Sequence, residues 1–333
     1  MKIAFFEIKG WEEKYLIKAL KGHKLFFYEE ALSDSHLKKL KDVDVVSVFI
    51  YSKITSAILK SLPKLKFIAT RSTGFDHIDT KMAKKNGVRV CNVSSYGENT
   101  VAEHTFALIL AISRNIHKSY IKTIHNDFSL DGLMGFDLKG KTLGVVGAGK
   151  IGMHTMRIAR SFGMKVLAYD INKDNFMADV LDFEYVSLEY LFKNSDILSL
   201  HVPYNEHTKH IVNRESIKKM KKGVILINTA RGGLVDLDAL MEGLDKDIIA
   251  GAGLDVIEGE EYIKEEKQLL YDPEKAELAL TLAKDHILFD NEKVIFTPHI
   301  AFYSQEALMR ILEQTVENIL NCKEEGKIIN FVV

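Results

Sequence analysis

Short, continuous apolar runs alternate with helix-like segments along the whole chain, and this rhythm limits the possible folds more than any other feature. Continuous runs, unlike runs of alternating polarity, are typical of strands buried on both faces of a parallel sheet. Such strands joined by helices predict a doubly wound α/β architecture. The predicted strands form two series, an early one at 3–8, 25–28, 43–50, 67–70 and 88–93 and a later one at 142–146, 166–170, 197–202, 224–228, 250–255 and 293–297.

The segment between the two series, 101–115 (VAEHTFALILAISRN), is apolar almost all the way round, which predicts a buried helix. A chain of 333 residues is long enough for about two domains. The last helix, at about 304–323, starts at a serine suited to N-capping and is expected to return to the first domain. We therefore predict a substrate domain at 1–100 plus 300–333 and a nucleotide domain at 101–299.

Composition excludes several classes of partner. Lys and Arg number 45 and Asp and Glu number 46, whereas a nucleic-acid or anionic-membrane surface normally shows a basic excess. The longest apolar stretch, 106–112, is far shorter than the ~20 residues of a membrane span, and the N-terminal apolar run is too short for a signal peptide. Two distant cysteines, Cys91 and Cys322, make a poor disulfide framework and cannot complete a zinc site. The sequence predicts a cytoplasmic protein without a metal site.

The strongest local motif is a strand that runs into Gly147-x-Gly149-x-x-Gly152 and then into a predicted helix at 153–162. The first glycine allows a tight turn, the second lets the backbone approach a pyrophosphate, and the third lets helix and strand pack closely. The helix N-terminus offers N–H groups and a positive dipole end to the phosphates. Asp170, at the end of the next strand, would accept hydrogen bonds from both ribose hydroxyls of an adenosine. The sequence predicts a dinucleotide site.

Asp170 also bears on which dinucleotide binds. Its carboxylate repels a 2′-phosphate, and no arginine directly follows it, so NAD is favoured over NADP. Lys173 lies three positions further on and leaves NADP open as an alternative.

Three later strand ends carry unusual polar residues. Arg231 follows a buried strand in NTARGG, Asp255 and Glu260 follow the next in GLDVIEGE, and His299 follows the last in TPHIAFY. In a doubly wound sheet, ligands bind outside the carboxyl ends of the strands. These side chains are therefore candidates for an active site.

In their order and spacing, these motifs resemble those of the D-isomer-specific 2-hydroxyacid dehydrogenases, and most closely their D-lactate dehydrogenase branch. The resemblance covers essentially the whole chain and includes RSTGFDHID, VAEHT, the glycine motif, HVP, NTARG and TPH. It implies two doubly wound parallel-sheet domains, Rossmann-like and flavodoxin-like, with an active-site cleft between them. It also implies that NADH reduces a small 2-keto acid to the D-2-hydroxy acid, with pyruvate the first substrate to test.

The resemblance further implies a role for each catalytic position. Arg231 holds the substrate carboxylate, which a guanidinium grips bidentately, and polarises the carbonyl. His299 donates a proton to the nascent alkoxide, and Glu260 hydrogen-bonds to that histidine and fixes its tautomer. Glu258 is the alternative to Glu260. Asp255 contacts the nicotinamide carboxamide and helps to orient the ring.

Two longer sets complete the implied site. The cofactor-binding residues are Gly147, Gly149, Lys150, Ile151, Gly152, Asp170, His201, Val202, Pro203, Thr229 and Asp255. The substrate-binding residues are Thr73 and Gly74, through their backbone N–H groups, together with Arg231 and the pocket residues Tyr96, Phe302 and Tyr303.

Other functions stay open. Within enzymes, the alternatives are a glyoxylate or hydroxypyruvate reductase and a reductase of larger apolar 2-keto acids. From a different class, some relatives of the fold are NAD-sensing corepressors, against which the balanced charge argues. The resemblance also implies a homodimer through the cofactor domains, with 101–115 and the segment after it as interface. The charged segment at 261–292 is longer than in many family members, and Asp272-Pro273-Glu274 within it predicts a helix start.

Overall fold

The structure is a computed structural model that describes residues 1–259, 287–322 and 330–333. The chain divides into two units, Met1–Tyr96 with Ser304–Val333, and Gly97–Tyr303. In the described part of each unit, helices accompany one sheet whose neighbouring strands all run parallel. The predicted class, a pair of parallel-sheet α/β domains, is confirmed.

The described residues of the first unit form a five-stranded sheet in the order β2-β1-β3-β4-β5. Its strands are β1 Lys2–Phe5, β2 Lys24–Phe27, β3 Val45–Val48, β4 Phe67–Thr70 and β5 Arg89–Cys91. Its helices are α1 Gly10–Ala19, α2 Asp34–Leu40, α3 Ser56–Ser61, α4 Thr80–Lys85 and, last in the chain, α12 Gln305–Leu320. All residues of β3 and β4 are buried, as expected for continuous apolar runs in a covered sheet.

Helix α12 is capped at its start and packs on the first unit along one face. The Ser304 hydroxyl caps the helix by accepting a hydrogen bond from the Ala307 N–H at 3.1 Å. Leu312 and Val316 pack in one hydrophobic core with Phe5 of β1. Burial of this face stabilises the return of the chain to its N-terminal sheet.

The second unit forms, among its described residues, a seven-stranded sheet in the order β12-β11-β10-β9-β6-β7-β8. Its strands are β6 Thr142–Val146, β7 Lys165–Tyr169, β8 Glu184–Tyr185, β9 Ile197–Leu200, β10 Val224–Asn228, β11 Ile249–Leu254 and β12 Val294–Phe296. Its helices are α5 Glu98–Ser113, α6 Ile116–Ile124, α7 Lys150–Ser161, α8 Asn175–Leu181, α9 Leu188–Asn194, α10 Arg214–Lys218 and α11 Leu237–Asp245. Of the described helices, none has both the length and the apolarity needed to cross a lipid bilayer.

The units divide a few residues away from the predicted boundaries at 100 and 300. Helix α5 begins at Glu98, which draws 97–100 into the second unit. At the other boundary, the Asp255 carboxylate accepts hydrogen bonds from the N–H groups of Ile300 at 2.9 Å and Ala301 at 2.8 Å. These bonds hold the start of the returning chain to the second unit.

Helix α5 packs closely on the second sheet through glycines of β11. A Cβ atom on Gly251 would lie 3.2 Å from Ile112, and one on Gly253 would lie 3.0 Å from Leu108. Glycine at these positions lets the helix backbone approach the strand. The buried helix predicted at 101–115 is confirmed, although it runs from Glu98 to Ser113.

The strand order of the second sheet reverses between β6 and β9, which neighbour each other near its centre. Ligands of doubly wound sheets bind outside the carboxyl ends of the strands at such a switch point. The glycine motif follows β6 and His201 follows β9, so the topology brings these two segments together at the expected binding edge.

Candidate active site

In the glycine loop after β6, backbone atoms leave no room for a side chain at Gly147 or Gly152, whereas the space beside Gly149 is empty. Gly147 has φ +102°, which only glycine adopts readily, and a Cβ there would lie 2.7 Å from the His201 carbonyl group. A Cβ on Gly152 would overlap the Gly147 carbonyl oxygen. A Cβ on Gly149 would meet nothing within 4 Å. The open position is the one through which the motif predicts that a pyrophosphate approaches.

Helix α7 begins directly at this open position. Its N-cap is Gly149 and its first residues are Lys150 and Ile151, which are exposed and half-buried respectively. The first turn of a helix has N–H groups that the helix itself does not use, and the dipole there favours an anion. The Lys150 ammonium lies 3.3 Å from the Glu98 carboxylate, so its charge is partly balanced by protein.

Asp170 joins the end of β7 to the glycine loop. One carboxylate oxygen accepts a hydrogen bond from the Ala148 N–H at 2.7 Å, and the other accepts one from the Asn172 N–H at 2.8 Å. A carboxylate has about four acceptor sites, so each oxygen can accept a further bond from a ribose hydroxyl. Lys173 is directed toward the Tyr185 ring, 5.9 Å from its centroid. The glycine loop and Asp170 together fit a dinucleotide.

His201 supports the glycine loop through its backbone. Its N–H donates to the Val146 carbonyl at 2.7 Å, and its ring Nε2 lies 2.8 Å from the Ser199 hydroxyl. Burial lowers the pKa of His201 to about 4, so the ring is neutral at pH 7. Val202 is half-buried, while Pro203 is exposed and its carbonyl accepts from the Thr208 hydroxyl at 2.6 Å.

The lowered pKa of His201 predicts a loss of stability in acid. An unfolded histidine takes up a proton near pH 6.5, whereas the folded one does so only near pH 4, so stability falls as the pH drops through this window. Between pH 7 and pH 5 we expect His201 to cost on the order of 2 kcal/mol of unfolding free energy. In His201→Gln this contribution to the change in unfolding free energy between pH 7 and pH 5 should vanish, as measured by denaturant unfolding at both pH values. Replacing the exposed His207 by glutamine should leave the wild-type pH dependence of the unfolding free energy unchanged. The same pH dependence in the wild type and in both variants would contradict the lowered pKa of His201.

Arg231 lies in the turn between β10 and a 3₁₀ turn at Gly232–Leu234, and it is half-buried. The fully buried Asn228 fixes the backbone on both sides of this turn. Its side-chain N–H donates to the Arg231 carbonyl at 2.9 Å, and its side-chain oxygen accepts from the Ala230 N–H at 3.1 Å. One guanidinium nitrogen of Arg231 donates to the Ala230 carbonyl at 2.7 Å. These bonds hold both the backbone and the guanidinium of Arg231 in place.

The two glycines after Arg231 let other backbone segments close on the turn. A Cβ on Gly232 would overlap the Ile257 carbonyl group, and one on Gly233 would lie 2.6 Å from the Tyr204 ring. The Gly233 carbonyl also accepts a hydrogen bond from the His210 N–H at 2.9 Å. The turn can carry no side chain at either position without displacing its neighbours.

His299 lies three residues after the end of β12 and has a left-handed backbone, with φ +57°. Its N–H donates to the carbonyl groups of Asp255, at 2.9 Å, and Thr297, at 2.8 Å. The Asp255 carboxylate is fully buried and accepts from the Thr297 hydroxyl at 2.5 Å, besides the N–H groups of the two residues after His299. Asp255 thus shapes the loop that carries His299, and its contact with a carboxamide stays a prediction.

Backbone hydrogen bonds connect the three strand ends. The Asp255 N–H donates to the Asn228 carbonyl at 2.9 Å, and the Asp255 carbonyl accepts from His299. Thr229 directly follows Asn228, and its buried hydroxyl lies 3.0 Å from the Thr105 hydroxyl of α5. These bonds bring the ends of the three strands together, and the prediction that their polar residues form one active site stays a prediction.

The acidic segment after Asp255 is described only as far as Gly259. Glu260, the predicted partner of His299, lies outside the described residues, as does the predicted helix start at Asp272-Pro273-Glu274. The alternative, Glu258, bonds through both carboxylate oxygens to the ring Nε2 of His210, at 2.9 and 3.0 Å. Glu258 therefore pairs with His210, a histidine outside the predicted catalytic set.

The predicted carboxylate loop lies in the first unit. The Thr73 hydroxyl donates to the Val93 carbonyl at 3.0 Å, and the Thr73 carbonyl accepts from the Asn92 side chain at 2.7 Å. The Gly74 carbonyl accepts from the Ser72 hydroxyl at 2.6 Å. Within the part of the chain that the structure describes, the N–H groups of Thr73 and Gly74 donate no hydrogen bond. Such N–H groups suit an anion, and their role as substrate ligands stays a prediction.

The predicted pocket residues divide between the units. Tyr96 is half-buried in the first unit, and its carbonyl accepts from the Arg310 guanidinium at 2.7 Å. In the second unit, the Phe302 ring lies edge-to-face with the Tyr303 ring, with centroids 5.8 Å apart, and with the His299 ring at 6.5 Å. An apolar ring therefore lies next to the candidate acid.

Two residues that the sequence analysis did not single out shape the site. Asn228 holds the Arg231 turn, and His104 of α5 lies 3.0 Å from the Thr297 hydroxyl. Both stand inside the motifs NTARG and VAEHT. Their polar character within otherwise apolar elements was the available signal.

Comparison with known proteins decides the family. Residues 106–301 match the family described as D-isomer specific 2-hydroxyacid dehydrogenase, NAD binding domain. The D-lactate dehydrogenase of Escherichia coli is 36% identical, with 97% of each chain covered. The chain belongs to the D-isomer-specific 2-hydroxyacid dehydrogenases. The hydroxypyruvate reductase of Thermotoga maritima is 39% identical, with 90% of each chain covered.

Solved structures of the D-2-hydroxyacid dehydrogenases agree in fold. The D-lactate dehydrogenase of Aquifex aeolicus, complexed with NAD and lactic acid, superposes with a TM-score of 0.87 at 39% identity, covering 99% of both chains. As a member of the family, the present chain is an NAD-dependent oxidoreductase, and its relatives place it in the D-lactate dehydrogenase branch.

For this D-2-hydroxyacid dehydrogenase, Asp170→Asn should weaken the discrimination between NADH and NADPH. The neutral amide removes repulsion of a 2′-phosphate and loses charge-assisted bonds to the ribose, each worth about 1.5–3 kcal/mol. We expect the ratio of kcat/KM values for NADH over NADPH to fall by roughly 10–100-fold. Steady-state assays with both cofactors measure it. Asp179→Asn, an exposed carboxylate on α8, is the matched control, and an unchanged ratio in Asp170→Asn would refute the role.

Proposed function

We propose that this dehydrogenase reduces pyruvate to D-lactate and that His299 is the general acid. One observation carries the proposal. Backbone hydrogen bonds tie Asn228, Asp255 and His299 together at the ends of neighbouring strands. They hold the Arg231 turn and His299 at one edge of the sheet, the edge where the glycine loop also ends.

The chain's own residues supply the binding and the proton. When bound, NADH supplies the hydride that adds to the keto carbon. The Arg231 guanidinium binds the substrate carboxylate and polarises the keto oxygen. His299 then gives one proton to that oxygen, so that one hydride and one proton convert the ketone to the alcohol. In the reverse reaction the neutral imidazole takes the proton back.

The relatives support two different substrates. Pyruvate is favoured because the Escherichia coli relative is a D-lactate dehydrogenase and the Aquifex aeolicus structure holds lactic acid. Hydroxypyruvate is the second candidate because the Thermotoga maritima relative is a hydroxypyruvate reductase. The two substrates differ by one hydroxyl, so the pocket beside Phe302 must decide between them.

A panel of keto acids tests the proposal. NADH oxidation is followed with pyruvate, hydroxypyruvate, glyoxylate, 2-ketoisocaproate and phenylpyruvate, and the chirality of the product is determined. We expect the highest kcat/KM with pyruvate and D-lactate as the product. A higher value with hydroxypyruvate or glyoxylate would favour the second candidate, and a higher value with the larger acids would favour an apolar pocket. No turnover with any keto acid would reject the enzyme assignment.

We further propose that the enzyme is a homodimer formed through its second unit. Helix α5 packs against its own sheet, which leaves the segment after it as the exposed apolar surface. The large apolar side chains of this surface, with their exposed fractions, are Ile116 58%, Tyr120 66%, Ile121 53%, Ile124 56%, Phe128 75%, Leu130 84% and Met134 92%. Monomers rarely expose so many neighbouring apolar side chains, so a second copy is the expected cover.

Ile121→Lys should convert the dimer to a monomer. A lysine in the centre of the apolar surface places an unpaired charge in the proposed interface, which costs several kcal/mol of association free energy, or about two to three decades in Kd. Sedimentation velocity at micromolar concentration measures the mass. Tyr190→Lys on α9, where the apolar side chain is 52% exposed, should leave the mass unchanged. A monomeric wild-type protein would contradict the proposal.

A further inference from the structure

His104 of helix α5 reaches the loop that carries His299. Its ring Nε2 lies 3.0 Å from the Thr297 hydroxyl and 3.4 Å from the nearer oxygen of the Asp255 carboxylate. The His104 side chain is 19% exposed, whereas the Asp255 side chain is 0% exposed. The contact is therefore largely shielded from water, and hydrogen bonds in such surroundings are stronger and hold the side chains in one orientation.

The direction of each hydrogen bond follows from counting protons. The Thr297 hydroxyl donates its one proton to the Asp255 carboxylate at 2.5 Å. Its oxygen can then only accept from His104, so the proton of the histidine must sit on Nε2. The result is a directed series in which His104 donates to Thr297 and Thr297 donates to Asp255. The same carboxylate oxygen accepts the Ile300 N–H at 2.9 Å, and its partner oxygen accepts the Ala301 N–H at 2.8 Å.

The series ends at a strained piece of backbone. His299 has φ +57°, a conformation that residues with a side chain rarely adopt and that persists only where the surroundings impose it. The Asp255 carboxylate imposes it from one side by binding the two residues that follow. His104 and Thr297 in turn set the orientation of this carboxylate.

We propose that His104 is a positioning residue for the reduction. It does not touch the substrate. It fixes the Thr297 hydroxyl and the Asp255 carboxylate so that the loop presents the His299 ring in one orientation. This inference rests on the proposed role of His299 as the general acid. Because a misplacement of about 1 Å can cost about 100-fold in rate, loss of the donor should lower kcat with little effect on cofactor binding.

The test compares two replacements of His104. His104→Met has a side chain of similar length but no hydrogen-bond donor, and we expect kcat for the keto acid to fall roughly 10–100-fold. His104→Gln has an N–H donor at a similar reach, and it should recover most of the activity. Thr297→Val removes the same series from its middle and should lower kcat to a similar degree. In the double variant with His104→Met the two losses should not multiply, since they break one series.

Binding and stability measurements separate positioning from a general structural role. The Kd for NADH, measured by fluorescence without substrate, should stay near the wild-type value in His104→Met and in Thr297→Val. The Tm of each should fall by no more than several degrees, as expected for the loss of one buried hydrogen bond, with a single cooperative unfolding transition. Glu103→Gln, an exposed neighbour on the same helix, is the matched control for kcat. Wild-type kcat in His104→Met, equal losses in the Met and Gln variants, or a parallel loss of NADH binding would each overturn the inference. If His104→Met does not fold, His104→Asn takes its place, since the shorter amide cannot reach the Thr297 hydroxyl and should show the same loss of kcat. His299→Asn, measured in parallel, tests the proposed function separately: undiminished turnover there would reject the acid itself, whatever His104 does.

Discussion

His299→Asn is expected to lower kcat by roughly 10²–10⁴-fold, the usual contribution of a general acid or base, while NADH binds as in the wild type. Asparagine is the informative replacement because His299 has φ +57°. Asparagine tolerates the left-handed region better than other residues with a side chain, so the loop should keep its shape. Alanine has no such tolerance, and His299→Ala would combine loss of the proton with relaxation of the backbone.

The measurement is a single-turnover assay with a keto acid, alongside NADH titration by fluorescence. His23→Gln in the first unit is the control histidine, whose ring contacts the N-terminal amine at 3.2 Å, and its turnover should not change. Retained turnover in His299→Asn would move the role of acid to another group. A loss of NADH affinity equal to the loss of rate would instead indicate a damaged cofactor site.

Most of the fold was predictable because its signals are local. A continuous apolar run marks a buried strand wherever it occurs, and the predicted runs correspond to eleven of the strands that the structure describes. The strand that the sequence did not indicate is β8, Glu184–Tyr185, whose two residues at the sheet edge are too short to form a pattern. The glycine motif was readable for the same reason, since its strand, turn and helix are contiguous.

The supporting residues of the site were not predictable because they act across long stretches of chain. His104 meets Thr297 only after helix α5 has packed on β11, and Asn228 acts through a turn whose shape depends on it. The sequence around either residue does not predict which partner its side chain will contact in the folded protein. The choice of Glu258 or Glu260 was open for a similar reason, and the bond from Glu258 to His210 is a tertiary contact between residues 48 positions apart.

The position of Arg231 explains why substitution there should be at least as costly as at His299. Asn228 bonds to the backbone on both sides of the turn, and the Ala230 carbonyl accepts one guanidinium N–H at 2.7 Å. Within the described residues, no carboxylate is paired with this guanidinium. Hydrogen bonds to backbone groups hold this guanidinium, so its charge is not neutralised by a protein carboxylate. It can therefore bind the substrate carboxylate and stabilise the negative charge that develops on the keto oxygen.

Arg231→Lys should therefore lower kcat/KM by on the order of 10³-fold, with a rise in KM and a fall in kcat together. Lysine keeps the charge but loses the planar pair of donors that grips a carboxylate and polarises the carbonyl at once. Arg214→Lys, an exposed arginine paired with Glu242 at 2.9 Å, is the matched control and should leave both constants unchanged. In Arg231→Ala, added guanidinium ion should restore part of the activity because the turn stays clamped by Asn228. If KM rises alone and kcat is kept, Arg231 only binds the substrate, and the polarisation of the carbonyl must come from another donor.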